Sequence, residues 1–479
     1  MKKAVVTLLG MISHSKPEYI SIDGEVKKIF VDVKQEERAI YRFSDNLNLF
    51  SEKLKDKRYI NTLALLIDIF PDREIMPIAT EKAKEIQEKT LNFLNVNSLA
   101  LDNTIIINES DYEGIFQQIS ELLQENKYES FIIDLTHGFR HLPILMIVNL
   151  IIASIKDIDK IEHIFFAKEI VPAKEYEIID LLDYIGLAKL SFVLENFNEN
   201  YTVGNKLLFK NEKYQDLVDS LRIISGHILA NSLKRLIERD ENLINETINK
   251  LEKLKNDDKK IATFSASIEN IIKHLRQIEI LKDEKDYIKL FKFSQMMKER
   301  EYLLNSITLL NESVGMYCAE LLKEVVPNMS NKIDKFIKEE KFSLYKVAQQ
   351  SKNLIKLKNR FTGHYLDETF PKDKILTQLK LEDNSKLKCL IIDIENLRNN
   401  LAHGNSSEKI ENVKGVINSL ILEYQKIIQV PNEINLEEKI KQIEKHTILT
   451  KDKKEKIVPK GINASKEKVD ELKSLFGNR

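Results

Sequence analysis

The sequence predicts an α/β region with a mostly parallel sheet, followed by an all-α region. Two observations predict this. Short apolar runs of strand length alternate with helical patterns up to about residue 190, and beyond it strand signals stop and an apolar period of three and four takes over. The length, 479 residues, exceeds a single simple core and predicts two or three domains. The composition shift places them at 1–190, 191–431 and a charged appendage at 432–479.

Taken in order, Ala4 to Leu9 reads as a buried first strand, and this accounts for the basic, apolar start better than a secretory signal, because no small-residue cleavage site follows. Ile20 to Val26 and the run from Ile29 predict a hairpin through Asp23-Gly24. Leu63 to Ile69, Glu74 to Ile78, Thr104 to Ile107, Phe131 to Asp134 and His163 to Ala167 read as further strands. Ala79 to Leu94 and Tyr112 to Leu123 read as covering helices. Leu142 to Ile155 is too short to span a bilayer, which needs about 20 residues, and reads as a buried helix. In the second region Leu217 to Arg239, Ser265 to Leu281 and Asn305 to Val325 have clear helical periodicity. The Lys-rich stretches 250–260 and 332–341 alternate with acids and read as solvated helix faces.

Composition limits the function. A formal net charge of −1 argues against a bulk electrostatic nucleic-acid binder, so any RNA contact is local. Cys318 and Cys389 are the two cysteines of the chain and lie far apart, which gives no disulfide framework and no zinc spacing and fits a reducing cytoplasm.

Two loops gather at the carboxyl ends of the predicted strands, where open sheets bind ligands. Gly10-Met11-Ile12-Ser13-His14-Ser15 leaves the first. Asp134-Leu135-Thr136-His137-Gly138-Phe139-Arg140 leaves a later one and enters a helix opened by Pro143. Backbone N–H groups there, with Thr136, His137 and Arg140, could cradle a phosphate. The bland alternative makes Asp134 and Thr136 turn and cap residues and His137 a satisfied buried histidine. A G-x-G-x-x-G dinucleotide fingerprint is absent.

The most informative stretch is Leu397-Arg398-Asn399-Asn400-Leu401-Ala402-His403-Gly404. Its run-up, Leu387, Leu390, Ile391, Ile394, Leu397 and Leu401, defines one buried helical face that Arg398 and His403 interrupt. Gly404 stands where helices end in a left-handed residue. Arg supplies a charged fork for phosphate, and His, with a pKa of about 6.5, can move a proton near neutrality. Five helical residues separate the two by roughly 140°, so one copy does not clamp a phosphate from both sides but two copies facing each other can. The bland alternative is a solvated helix cation and a C-terminal capping group. Arg222 to His227 repeats the spacing with Ile223 and Gly226 inside it, and Arg360-Phe-Thr-Gly-His364 falls one residue short. The helix from Val413 to Ile428 is expected to pack against this one and to help form a dimer.

Arg398-Asn399-x-x-x-His403 resembles the Arg-polar-x-x-x-His motif of HEPN-domain ribonucleases, whose composite, metal-independent site is shared by two protomers. Asp134-x-Thr136-His137-Gly138 closing a strand resembles the signature of the CRISPR-associated DxTHG-motif proteins, whose first domain is a Rossmann-like CARF domain. Thr80-Glu81-Lys82-Ala83 resembles the turn that opens a CARF helix, and 161–170 and 176–184 resemble the last strand and the crossing segment. The first-strand loop departs from the family, where it is commonly richer in small residues than Gly10-Met11-Ile12.

The resemblance implies a CARF domain followed by a HEPN effector, and a homodimeric endoribonuclease of type III CRISPR defence acting on single-stranded RNA. It implies activation by a cyclic oligoadenylate, tetra-adenylate ahead of hexa-adenylate, with no metal. Arg398, Asn399 and His403 would be catalytic, and Gly10, Met11, Ile12, Ser13, His14, Thr80, Thr136, His137, Gly138 and Arg140 would hold the activator. The products would be a 2′,3′-cyclic phosphate and a 5′-OH. Two other readings remain open: a non-catalytic sensor that recruits a partner, and slow cleavage of the activator ring by Thr136 or His137.

Overall fold

The computed structural model describes residues 2–10, 17–22, 25–30, 38–47, 50, 54, 57–93, 98–156, 160–205, 207–238, 241–257, 259–325, 330–331, 333–334, 344–356, 386–404 and 407–429. The expected features at 11–15, 23–24, 360–364 and 432–479 lie outside these, as does nearly all of 332–341. The chain forms two compact units, Met1–Gly226 with Glu246–Ile271, and His227–Asn245 with Ile272–Arg479.

The first unit carries an eight-stranded sheet. Its strands are β1 (Lys2–Leu8), β4 (Ala39–Phe43), β5 (Arg58–Tyr59), β6 (Glu74–Ala79), β7 (Ile105–Ile106), β8 (Tyr128–Asp134), β9 (Ile161–Val171) and β10 (Glu175–Asp180), in the order β5-β4-β10-β9-β8-β1-β6-β7. β1 pairs in parallel with β6 and β8, and β8 with β9. β10 runs antiparallel to β9. The expected hairpin forms a separate two-stranded sheet from β2 (Pro17–Ile22) and β3 (Glu25–Phe30).

Alternation along β1 divides the core. Val5 and Leu9 enter one apolar cluster with α1 (Thr62–Ile69) and α2 (Glu81–Phe93), whereas Ala4, Val6 and Leu8 enter another with α3 (Tyr112–Gln124) and α4 (His141–Ile155). Both faces of the sheet are thus covered, the Rossmann-like arrangement that alternating strands and helices predict.

Three expectations need correction. Residues 63–69 are helix, not strand: Asn61 caps the segment, its Oδ1 accepting from the Ala64 N–H at 3.0 Å, and a short apolar run does not by itself separate the two states. α4 starts at His141, which makes Pro143 its third residue, and it is not wholly buried, since Ile144, Val148 and Ile152 form an exposed apolar stripe. The helix expected over 217–239 is interrupted: α6 (Glu212–Leu229) ends, Asn231 turns to φ 54°, and α7 (Leu233–Glu238) begins.

The intervening helices are α5 (Leu182–Asn200), α8 (Glu241–Asp257) and α9 (Ser265–Ile280). The second unit is built on α11 (Leu303–Val325), against which pack α10 (Asp286–Glu299), α12 (Leu344–Lys356), α13 (Lys386–Ala402) and α14 (Ile410–Ile428). Leu310, Val314, Cys318, Leu390, Ile394, Ile417 and Tyr424 share one core, so α14 does pack against the helix that carries Arg398. Among the described residues no helix is long and apolar enough to cross a membrane.

In this unit the His274 ring accepts from Arg300 Nη2 at 2.9 Å; burial first, then the charges of Arg300 and Lys273, hold the imidazole down at about 4. The folded protein keeps His274 neutral where the unfolded chain takes up a proton, so its contribution is present above pH ~6.5 and is lost as pH falls toward the folded value. Urea unfolding should therefore show the midpoint falling between pH 7 and pH 5, and falling less in His274→Gln.

Candidate functional sites

The first site is a crevice between the carboxyl ends of β1 and β8. β1 and β8 are parallel neighbours, so the loops that leave their carboxyl ends emerge side by side at the edge where open sheets bind ligands. Thr7 and Asp134 face each other across the pair.

Asp134 holds this corner together. Its carboxylate is 1% exposed and accepts from Thr7 Oγ1 at 2.8 Å, Thr62 Oγ1 at 2.7 Å, Thr136 Oγ1 at 2.6 Å and the Thr136 N–H at 3.1 Å. A buried carboxylate must be satisfied in this way, and here the donors come from β1, the start of α1 and the β8 loop. The Thr136 hydroxyl also accepts from the Ala167 N–H at 2.9 Å, so its donor and an acceptor site are both used inside the fold. His137 Nε2 accepts from the Thr62 N–H at 3.4 Å, which requires that nitrogen to be unprotonated.

The two loops touch at glycines. Gly138 has φ 97°, a left-handed conformation, and an added Cβ would lie 3.2 Å from Leu8 Cβ. A Cβ at Gly10 would lie 3.1 Å from the Gly138 backbone nitrogen. Two backbones approach here as only residues without side chains permit. Gly10 O accepts from Gln87 Nε2 at 3.1 Å, and Gln87 Oε1 accepts from Asn61 Nδ2 at 2.9 Å, which ties the loop to α1 and α2.

Thr80 caps α2 at the end of β6, its hydroxyl accepting from the Ala83 N–H at 3.3 Å. Arg140 is exposed at the start of α4. That helix start offers fewer donors than the expected phosphate cradle, because the Leu142 N–H bonds to Phe139 O and Pro143 carries none. Met11, Ile12, Ser13 and His14 lie outside the described residues.

Sequence reasoning missed Thr7, Asn61, Thr62 and Gln87, which hold the crevice from elements remote in sequence. Polar Asn61-Thr62 before an apolar run was the available signal of a capped helix. It also missed the ring cluster beside the loop, where Phe139 stacks on His141 at 5.9 Å and Tyr112 meets His141 edge-on at 5.0 Å.

The second site lies at the end of α13. The helix runs to Ala402, the His403 N–H bonds to Asn399 O at 3.0 Å, and Gly404 takes φ 65°, the left-handed terminus its position predicts. His403 and Asn399 are exposed, and Arg398 is half-buried. Arg398 Nη1 donates to Asn399 Oδ1 at 3.1 Å, while its Nε is buried with no partner among the described residues. Arg222, by contrast, is spent on structure, bonding to Asp219 and to the carbonyls of Leu207 and Gly204, so the repeat at 222–227 is a packing feature.

Beneath Arg398 lies a charged cluster. Lys352, 1% exposed, donates to Asn311 Oδ1 at 2.6 Å and lies 3.4 Å from Glu395; Lys356, 5% exposed, donates to Glu395. Burial pulls the Glu395 carboxyl up, but Lys356 and Lys352 outweigh it and hold it below the ordinary carboxylate range. Burial pushes the neighbouring Glu312 up, against the charges of Lys352 and Arg398. Lysines at 352 and 356, on the inner face of α12 beside Val347, Ser351 and Ile355, were the overlooked signal. Among the described residues no group of three or more His, Cys, Asp or Glu side chains could hold a metal ion.

No family model matches the chain, and no curated protein matches it. Among solved structures it is similar to Enterococcus italicus Csm6 bound to cyclic hexa-2′-fluoro-hexa-dAMP, at 13% identity over 90% of this chain and 96% of that chain, with a TM-score of 0.40. A likeness this distant assigns no activity.

Gly138→Ala should strain the left-handed turn and press on Leu8, lowering the stability of the first unit by about 1–3 kcal/mol. Thermal unfolding followed by hydrogen exchange over β1 and β8 measures it, and an unchanged profile would contradict the close approach of Gly138 to Leu8.

Proposed function

We propose that the protein is a cyclic oligoadenylate-activated, metal-independent endoribonuclease of the CARF–HEPN kind. The observation that carries this reading is the pairing of a half-buried Arg398, hydrogen-bonded to Asn399, with an exposed His403 at the end of the same helix. Arginine can bind a phosphate in its fork and neutralise charge that builds up on it. Histidine can exchange the proton of a ribose 2′-OH or of the leaving 5′-oxygen near neutral pH. Together they cover charge stabilisation and proton transfer.

Their separation around the helix, roughly 140°, favours a centre shared by two copies related by a two-fold axis. Attack of the 2′-oxygen on phosphorus, with departure of the 5′-oxygen, leaves a 2′,3′-cyclic phosphate and a 5′-OH. DNA lacks the nucleophile and is not a substrate.

The crevice of the first unit is the proposed sensor. It sits at the carboxyl ends of the parallel strands β1 and β8, where Gly10 and Gly138 bring two backbones together, with His137 and Arg140 on the β8 loop and Thr80 at the end of β6. Two such crevices in a dimer would match a symmetric ring of adenylates, tetra-adenylate ahead of hexa-adenylate. The ring activates by binding the active arrangement more tightly than the resting one. The internal bonding of the Thr136 hydroxyl favours a structural role for it over attack on the ring.

Cleavage of a fluorescent single-stranded RNA in EDTA, with and without cyclic tetra- and hexa-adenylate, tests the proposal. Activity is expected with one ring, and His403→Ala should lower the rate by about 10²–10⁴-fold without unfolding the protein. Binding of a ring without cleavage would make the protein a sensor that recruits a partner.

A further inference from the structure

The charged cluster under α13 has a cost that packing does not explain. Burying ion pairs takes charges out of water, and apolar residues of similar volume generally serve stability as well or better. Yet α12 turns two lysines inward, one of them 1% exposed, onto a carboxylate of α13. That carboxylate, Glu395, stands three residues before Arg398, on the neighbouring position of the same helix face. Lys352 also reaches Asn311 on α11, so one ammonium links three helices at this level.

The charges do not balance. Lys352, Lys356 and Arg398 supply three cations and Glu395 and Glu312 two carboxyls; burial pushes both Glu312 and Lys352 toward their neutral forms, which still leaves Lys356 and Arg398 against Glu395. A surplus of positive charge in a partly dry setting attracts an anion more strongly than the same charge in water. Arg398 is half-buried beside it, close enough for its charge to act on Glu312.

We infer that the Lys352–Glu395–Lys356 cluster positions Arg398 and, with Glu312, presents unbalanced positive charge to the phosphate that Arg398 binds. The inference rests on reading the Arg398 helix as a ribonuclease centre. The lysines clamp Glu395, the clamp fixes the rotation of α13 against α12, and that rotation aims Arg398. All of these are positioning residues; none needs to touch RNA.

The test replaces the cluster by apolar residues, Lys352→Met, Lys356→Met and Glu395→Leu together, in the full-length chain. The expected result is a Tm no lower than that of the wild type, KM for single-stranded RNA little changed, and kcat lowered by roughly 10²-fold through misplacement of Arg398. Added to Arg398→Ala, the same changes should cost no further rate, because both remove one function. A stable triple variant that cleaves at the wild-type rate would overturn the inference. Should the triple variant not fold, Lys352→Met alone is judged by the same comparison. If the wild type cleaves nothing, the ribonuclease reading fails by itself, and hydrogen exchange over 395–403 then decides the positioning role: faster exchange in the variant supports it, and unchanged exchange refutes it.

Discussion

The first unit depends on one buried carboxylate. Asp134 ends β8 at the centre of the sheet, and its two oxygens accept from Thr7 on β1, Thr62 at the start of α1, and the hydroxyl and N–H of Thr136. Each donor restricts a different element. Thr7 fixes the level at which β1 and β8 end together, Thr62 brings the α1 terminus over that point, and Thr136 turns the chain so that Gly138 passes Gly10. A carboxylate so far from water cannot be left partly satisfied, and this makes the corner rigid. The proposed sensor site is then the space left outside this corner.

The second unit uses buried charge differently. Apolar contacts among Leu390, Ile394, Ile417 and Tyr424 hold α13 against its neighbours, but apolar packing is non-directional and tolerates small rotations. The pairing of Glu395 with Lys352 and Lys356 is directional, and it sits one turn below Arg398. The terminus of the same helix is left open, with Gly404 turning the chain away after His403. A fixed base beside an exposed helix end is what the proposed pair, Arg398 and His403, would require.

Much of this architecture follows from local pattern. Period-two alternation along β1, apolar runs at β6, β8 and β9, and the three-and-four stripe of α13 and α14 each report which face an element buries, and they do so whatever its neighbours are. The left-handed Gly404 and the cap at Thr80 are likewise local, since both satisfy backbone groups within a few residues. Where local pattern was ambiguous it misled: an eight-residue apolar segment can be buried as strand or helix, and the Asn61 cap decided for helix. The apolar run of α4 carried a similar ambiguity about burial, because hydrophobicity alone does not show whether a second layer covers the outer stripe of Ile144, Val148 and Ile152.

The sequence by itself determined the order of an α/β region and an all-α region, and the placement of Asp134, Gly138, Arg398 and His403 at element ends, because those depend on spacing along the chain. Only the tertiary structure decided what stands around them. Thr7 and Thr62 meet Asp134, and Gln87 meets both Gly10 and Asn61, from tens of residues away or more, and Lys352 and Lys356 reach Glu395 across 43 and 39 positions. No local period encodes such a meeting. It arises when separate elements bury their apolar faces against one another and leave their few inward polar groups no partners but each other.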